Sequence, residues 1–518
     1  MSSSRFVAVF LSRSLHSRAV ADNVAVSRAT RIALVVVAGL VVAVAGALAL
    51  SRDGSDGSGD AGSAQGGDAR DAGDMSAELR RAVSIEGIVE HLRALQEIAD
   101  ANGGNRSAGT SGYDDSAAYV EAELRDAGYE VKLQEFEVPV FANHSDPVFR
   151  AAEGEAFEDG SDFAVMLYSG SGEASAVVTP VDFDASGQAS TSGCDSSDFD
   201  GFHEGAIALV NRGNCLFRDQ ALNAQEAGAS AVLIAQEPRS DDVLRGTLTP
   251  GSGVAIPALG ITNELSEELS SSADLLSVSV DASVQDRPTH NVVAETSSGD
   301  ADRVVMVGGH LDSVPAGPGI NDNGSGVAAI LEVAQEIQSL DPQTRVRFAF
   351  WGAEEFGLIG SAHYVTRLSP SEREQISAYL NFDMLGSPNY VRFVYDGRRA
   401  GAGSVDGSTA IQDVFEDYFA DTGLPTDVIG LEGRSDHAFF DRVGIPVGGL
   451  FSGADDVKTE SEAQVYGGTS GDTHDVCYHQ ACDTIDNVNQ DVLDEMADGV
   501  AHAIATLVTN PDLVSPDN

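Results

Sequence analysis

The chain has 518 residues, with 30 Lys+Arg against 81 Asp+Glu and a formal net charge of −51 at neutral pH. That balance excludes nucleic-acid binding through a basic face, and a hydrophobic fraction of 42% excludes wholesale disorder. Lys132 and Lys458 are the only lysines. Carboxylates this dense repel one another unless counter-ions screen them, which points to a salty working medium; a merely acidic secreted protein is the competing reading.

In chain order, the first predicted element is an export signal. Residues 1–31 form a basic N-region with Arg5, Arg13, Arg18, Arg28 and Arg31 against the single acid Asp22, and residues 32–50 (Ile32 to Leu50) carry no charge. As a helix that run spans about 28 Å, close to the hydrocarbon thickness of about 30 Å, and the arginines put its start in the cytoplasm. The small residues Ala45-Gly46-Ala47 and Ala47-Leu48-Ala49 offer cleavage sites. The run is a signal peptide or a membrane anchor, and either way the remainder is extracellular or on the cell surface. Residues 51–75 are a Gly/Ser/Asp/Ala tract, expected to be a disordered linker.

Ile88, Leu92, Leu95 and Ala99 recur at helical spacing, as do Ala117, Val120 and Leu124 before Gly128. A strand follows over Tyr129 to Val138, with Val131 and Leu133 on one face. From about residue 141 to 290 the texture changes to Gly/Ser/Asp-rich turns, with short β pieces at Ala206 to Val210 and Ala231 to Ala235 and a helix at Gln220 to Ala229. This segment reads as a domain inserted between 76–140 and 291–509, leaving 510–518 as a tail. Beyond it, the strands Val304 to Val307 and Val346 to Trp351 flank a helix with Val327, Ile330, Leu331, Ala334 and Ile337 on one face, the pattern of a parallel α/β sheet.

Four cysteines in an exported chain imply two disulfides. Proximity favours Cys194 with Cys215 and Cys477 with Cys482, contributing about 3 and about 2 kcal/mol by loop entropy. A metal role for the second pair is the rival, but a lone C-x4-C is a weak zinc signature.

Sites in parallel sheets form beyond the carboxyl ends of strands. Here one strand runs into Gly308-Gly309-His310-Leu311-Asp312, another into Gly352-Ala353-Glu354-Glu355, and Ala378 to Phe382 ends at Asp383. The glycine-rich turn Gly319 to Gly326 adds Asp322. It lacks G-x-x-x-x-G-K-[ST], which argues against a nucleotide site. Singly, Asp322 reads as a helix cap and the others as packed or solvated residues. Together, imidazole and carboxylates make a mixed N/O set suited to zinc or a comparable divalent ion. A carboxylate left over beside a ligand is what a general base requires, and Asp312 can hold the free imidazole N–H of His310.

Five motifs, G-G-H-L-D-S at Gly308 to Ser313, G-I-N-D-N-G-S-G at Gly319 to Gly326, W-G-A-E-E-F-G-L-I-G-S at Trp351 to Ser361, N-F-D-M at Asn381 to Met384 and C-Y-H-Q-A-C-D at Cys477 to Asp483, resemble the co-catalytic di-zinc aminopeptidases. The nearest likeness is to the secreted bacterial leucyl-type enzymes, with glutamate carboxypeptidase II and the transferrin receptor more distant. The likeness runs from about Ile85 to Leu507 and includes G-N-R-S-A-G-T at Gly104 to Thr110. The inserted segment resembles a protease-associated (PA) domain, through the run Ile207 to Cys215, Phe217 and Asn223 to Ala229.

The resemblance implies an α/β zinc-peptidase fold, a mixed, mostly parallel sheet sandwiched by helices, with 76–140 and 291–509 as the two parts of the catalytic domain and 141–290 as a β-rich PA domain. It implies two zinc ions bridged by Asp322, with His310 and Asp383 on one and Glu355 and His479 on the other. Glu354 becomes the general base and Tyr478 the oxyanion donor, Tyr478 and His479 being oriented by the Cys477–Cys482 staple. Glu432 and Arg434 match the loop that holds the substrate's N-terminus and backbone, with solvated surface charge as an equal reading. His363, His437 and His474 are read as structural. Asp494 and Asp498, one helical turn apart, match a calcium site of some relatives, against the plainer reading of an acidic surface. The expected function is an exported aminopeptidase acting on peptides with large apolar N-terminal residues. The alternatives are a related di-zinc carboxypeptidase or amide hydrolase, and a receptor-like binding protein, which normally goes with lost ligands. The sequence carries no signal for oligomeric state.

Overall fold

The computed structural model describes residues 72–151, 154, 156–184, 191–236, 243–431 and 433–514. The expectations for 1–31, for the membrane anchor or signal peptide at 32–50, for most of 51–75 and for Glu432 lie outside the described residues. Among the described residues no helix is long and apolar enough to cross a membrane. Order begins earlier than composition suggests: a helix runs over Ala72–Ala82, with Met75 and Leu79 buried. At the other end Pro511–Val514 forms a helical turn that buries Val514.

The helix Ile85–Ala101 starts where Ser84 Oγ accepts from Gly87 N–H (3.1 Å). Its apolar stripe Ile88, Leu92, Leu95 and Ala99 is fully buried, each large side chain contributing about 1.5–3 kcal/mol. The helix Ser111–Asp126 follows. Strand β1 (Glu130–Asn143) is longer than the sequence pattern indicates and leads into the inserted domain; Leu133 in it is exposed, at the sheet's edge.

The insertion is a seven-stranded sheet of β2 (Val148–Ala151), β3 (Phe163–Val165), β4 (Gly172–Pro180), β5 (Ile207–Asn211), β6 (Ala231–Ala235), β7 (Ala258–Ile261) and β8 (Leu275–Val280), in the order β2-β8-β4-β5-β6-β7-β3. Strands β4 to β7 pair in parallel and the flanking pairs are antiparallel. A separate apolar cluster lies on each face, one around Phe149, Phe163 and Leu209, the other around Met166, Tyr168 and Val210. The helix expected at 220–229 sits at Phe217–Glu226, and Cys194 is bonded to Cys215 (Cα–Cα 5.8 Å).

The chain leaves through β9 (Ala282–Glu295), which pairs with β1 without interruption from Asn143↔Ala282 to Glu130↔Glu295. The borders expected at 140/141 and 290/291 therefore fall inside paired strands. The sheet continues with β10 (Asp300–His310), β11 (Thr344–Trp351), β12 (Ile376–Phe382), β13 (Phe393–Tyr395), β14 (Asp427–Ile429) and β15 (Val447–Phe451), in the order β1-β9-β11-β10-β12-β15-β13-β14. Its centre, β11-β10-β12-β15, is parallel, so three carboxyl ends meet on one rim. Helices 85–101, 111–126, 326–337 and 490–509 share one core with one face of this sheet. Trp351, Tyr364, Tyr379 and Phe440 fill a second cluster with Val293, Met306 and Val447.

Candidate active site

His310 is the last residue of β10, Asp383 follows β12, Glu354 and Glu355 follow β11, Asp322 lies in the turn before helix Gly326–Ile337, and His479 lies between Cys477 and Cys482. The structure brings all of them to one cavity of about 90 Å³ that Tyr478 and Arg434 also line. Asp322 sits between the imidazoles, with Oδ1 3.2 Å from His310 Nε2 and Oδ2 3.2 Å from His479 Nε2. His310 Nε2 is also 3.3 Å from Asp383 Oδ1, and His479 Nε2 is 3.1 Å from Glu355 Oε2.

Burial pushes the Glu354 carboxyl well above its usual range, helped by the charges of Glu355, Asp436 and Asp383, and raises Glu355 too. Burial alone would lower both imidazoles, yet the surrounding carboxylates outweigh it: His310 is held well above its ordinary value and His479 goes up to about 11. Such crowding of buried acids calls for added positive charge. The donor set is two nitrogens and three carboxylates, Asp383 Oδ1 and Glu355 Oε1 are buried without a hydrogen-bond partner, and His310, Asp322 and Glu355 offer ligand atoms within 4.8 Å of one another. These residues fit zinc.

The supporting contacts differ from the sequence reading in one respect. His310 Nδ1 meets the backbone carbonyl of Asp312 (3.0 Å), while the Asp312 carboxylate, 3.8 Å from that nitrogen, accepts instead from the backbone N–H groups of Glu354 (3.0 Å) and Glu355 (3.4 Å). Asp312 therefore ties the β10 rim to the β11 rim. Ala353 (φ 59°), Met384 (φ 54°) and His479 (φ 57°) adopt left-handed backbone, which costs a non-glycine residue about 1–2 kcal/mol. Each is a site residue or its immediate neighbour.

Three positions escaped the sequence reading. Asp483 accepts from the N–H groups of Asn321 (2.8 Å) and Asp322 (3.0 Å) and so sets the turn that presents Asp322. Arg106 is fully buried and donates to the carbonyls of Leu311, Pro318 (2.9 Å) and Gly319 (2.6 Å), joining the His310 and Asp322 segments. Ser435 donates to Asp383 Oδ2 (2.6 Å). Asp483 and Arg106 stand inside motifs quoted above, and an arginine within such a motif, in a chain so poor in base, was the available signal.

Cys477 is bonded to Cys482 (Cα–Cα 5.2 Å), and the rings of Tyr478 and His479 stack at 3.8 Å. Arg434 pairs with Asp455 (3.0 Å) and interacts with the Tyr478 phenol. His437 lies against Tyr395 and reaches the cavity wall, whereas His363 packs on Phe136 and His474 on Phe393. Asp494 and Asp498 fall outside the group of residues with metal-binding geometry; Asp498 faces Arg80 and Tyr418.

The sequence profile of peptidase family M28 matches residues 291–504, and that of the PA domain matches 174–269. An aminopeptidase of Pseudomonas aeruginosa is 43% identical over 449 residues, which cover 85% of this chain and 84% of that protein. Leucine aminopeptidase 2 of Trichophyton rubrum is 35% identical over 437 residues, 83% of this chain and 85% of that protein. Among solved structures, a zinc aminopeptidase from Bacillus subtilis superimposes with a TM-score of 0.64 at 25% identity, covering 82% of this chain and 95% of that one. A rim built from the carboxyl ends of β10, β11 and β12, and likeness of this extent to whole peptidases, lead to one assignment: the chain belongs to peptidase family M28, and a PA domain is inserted into it.

Proposed function

We propose that this protein is an exported aminopeptidase that uses two zinc ions to release N-terminal residues, large apolar ones foremost, from peptides. The observation that carries the reading is the placement of Asp322, with one carboxylate oxygen 3.2 Å from each of two imidazoles. His310 and Asp383 would hold one ion, Glu355 and His479 the other, and Asp322 both. Bound zinc supplies a Lewis acid that polarises the scissile carbonyl and makes water more acidic. Glu354, its backbone fixed by Asp312, takes the proton of the attacking water and returns it to the leaving amine. The Tyr478 phenol donates to the oxygen on which negative charge develops, and Arg434 beside it orients the substrate backbone together with Glu432. Two disulfides support an oxidising, extracytoplasmic setting, and the leucine aminopeptidase relative supports the apolar preference.

Leucine p-nitroanilide and peptides blocked at one end test the reading. C-terminally blocked peptides are cleaved and N-terminally blocked ones are not; the reverse result establishes a carboxypeptidase instead. Glu354→Gln lowers kcat by about 10²–10⁴-fold with zinc content unchanged. Full activity in that variant overturns the mechanism.

A further inference from the structure

Behind Asp383 the core holds a chain of four hydrogen bonds between buried side chains. Trp351 Nε1 donates to the Tyr379 hydroxyl (2.8 Å), that hydroxyl to Asn381 Oδ1 (2.9 Å), Asn381 Nδ2 to Ser435 Oγ (2.8 Å), and the Ser435 hydroxyl to Asp383 Oδ2 (2.6 Å). Trp351, Tyr379 and Asn381 have no exposed surface. The two ends fix the direction of the middle. An indole N–H can only donate and an ionised carboxylate can only accept, so both hydroxyls and the amide pass their protons the same way. In a medium of low dielectric constant each bond of such a chain polarises the next.

The sequence builds this chain from strand geometry. Residues 379, 381 and 383 alternate along β12 and its end and so share a face, and Trp351 closes the neighbourhood from the end of β11. The Tyr379 ring is stacked on Phe440 (3.9 Å, 6° between planes). A Cβ on Gly308 would lie 2.9 Å from both Trp351 Nε1 and the Tyr379 hydroxyl, so the first glycine of G-G-H-L-D leaves room for this bond. The chain occupies one oxygen of Asp383; the other faces His310 without a hydrogen-bond partner.

We infer that Tyr379 and Asn381 are positioning residues for Asp383, and that the chain makes Trp351, the only tryptophan in the protein, an optical reporter of zinc at that carboxylate. The inference rests on the reading of Asp383 as a zinc ligand.

The test strips zinc from the purified holoenzyme with graded chelator, following zinc content and tryptophan emission in parallel. In the wild type the emission changes in step with zinc release. Tyr379→Phe keeps the ring on Phe440 but removes two links; zinc then leaves at about tenfold lower chelator concentration, and the emission no longer follows it. Ser435→Ala removes the last two links, and adding Tyr379→Phe to it produces no further loss, as expected of one connected unit. A Tyr379→Phe curve equal to wild type, full additivity in the double variant, or wild-type emission indifferent to zinc overturns the inference while leaving the metal site in place. A wild-type protein that holds no zinc overturns the metal reading and the inference with it.

Discussion

Ala353, Met384 and His479 hold left-handed backbone beside or at the candidate ligands, and tertiary contacts keep them there: Ala353 is fully buried, and Cys477–Cys482 brackets His479. Backbone of this kind marks functional sites because only a surrounding structure that over-determines it can maintain it. The ligand candidates were legible in the sequence because each stands at a strand end or glycine-rich turn within a short motif. Asp483 and Arg106 were not, because their partners are backbone N–H and carbonyl groups that come from elsewhere in the chain. For the same reason the sequence points Asp312 at the adjacent imidazole, whereas its carboxylate serves the segment after β11. Away from the site, His502 sets a pH prediction. Burial, then the charge of Arg80, lowers its imidazole to about 4, with Asp421 opposing; Ser76 (2.9 Å to Nδ1), Thr506 (3.4 Å to Nε2) and the stacked Tyr418 are also in contact with it. Above the unfolded value of about 6.5 neither state is protonated. As pH falls toward 4 only the unfolded state takes up the proton, so stability is lost, by about 1–2 kcal/mol after allowance for partial exposure. Denaturant unfolding of wild type and His502→Gln between pH 7 and 4 checks this, the variant losing less.

The segment after β11 shows how an element is held from two sides. Inside, Asp312 binds its backbone at Glu354 and Glu355. Outside, Phe356 packs both on the PA-domain cluster of Met166 and Tyr168 and on the cluster of Phe136, Val138 and Ala353. The contact places PA-domain side chains against the residue that follows Glu355, two positions from the proposed general base Glu354. Phe356→Ala lowers kcat on leucine p-nitroanilide by about tenfold with KM and zinc content unchanged, and Phe356→Leu restores part of it; small displacements of a reacting group have costs of this order. An unchanged kcat removes the coupling. Strand and helix positions were largely legible from periodicity. The texture change near 141 and 290 falls inside β1 and β9, which pair without a break from Glu130↔Glu295 to Asn143↔Ala282, so no single residue of the two strands divides the domains.

For the whole molecule, the charge of −51 divides by location. Among the described residues the buried acids are Asp312, Asp322, Glu332, Glu354, Asp383, Asp436, Asp475 and Asp483, and all but Glu332 lie in or beside the candidate site. The Glu355 side chain is nearly as covered; the remaining acids among the described residues face solvent to some degree and repel one another. Melting temperature therefore rises by several degrees from low to molar salt, as the screening length shrinks from about 30 Å to about 3 Å; a flat profile removes salt adaptation and leaves the peptidase assignment standing. The paired β1 and β9 carry a last consequence, for the order of assembly. Asn143 and Ala282 are adjacent across the ribbon although the whole PA domain lies between them. Closing a flexible loop of about 140 residues costs on the order of 4 kcal/mol in chain entropy. Once the PA domain has folded, its two ends already stand side by side, and the catalytic sheet meets it as the turn of a long hairpin. The insertion then serves the peptidase fold as a preformed bend.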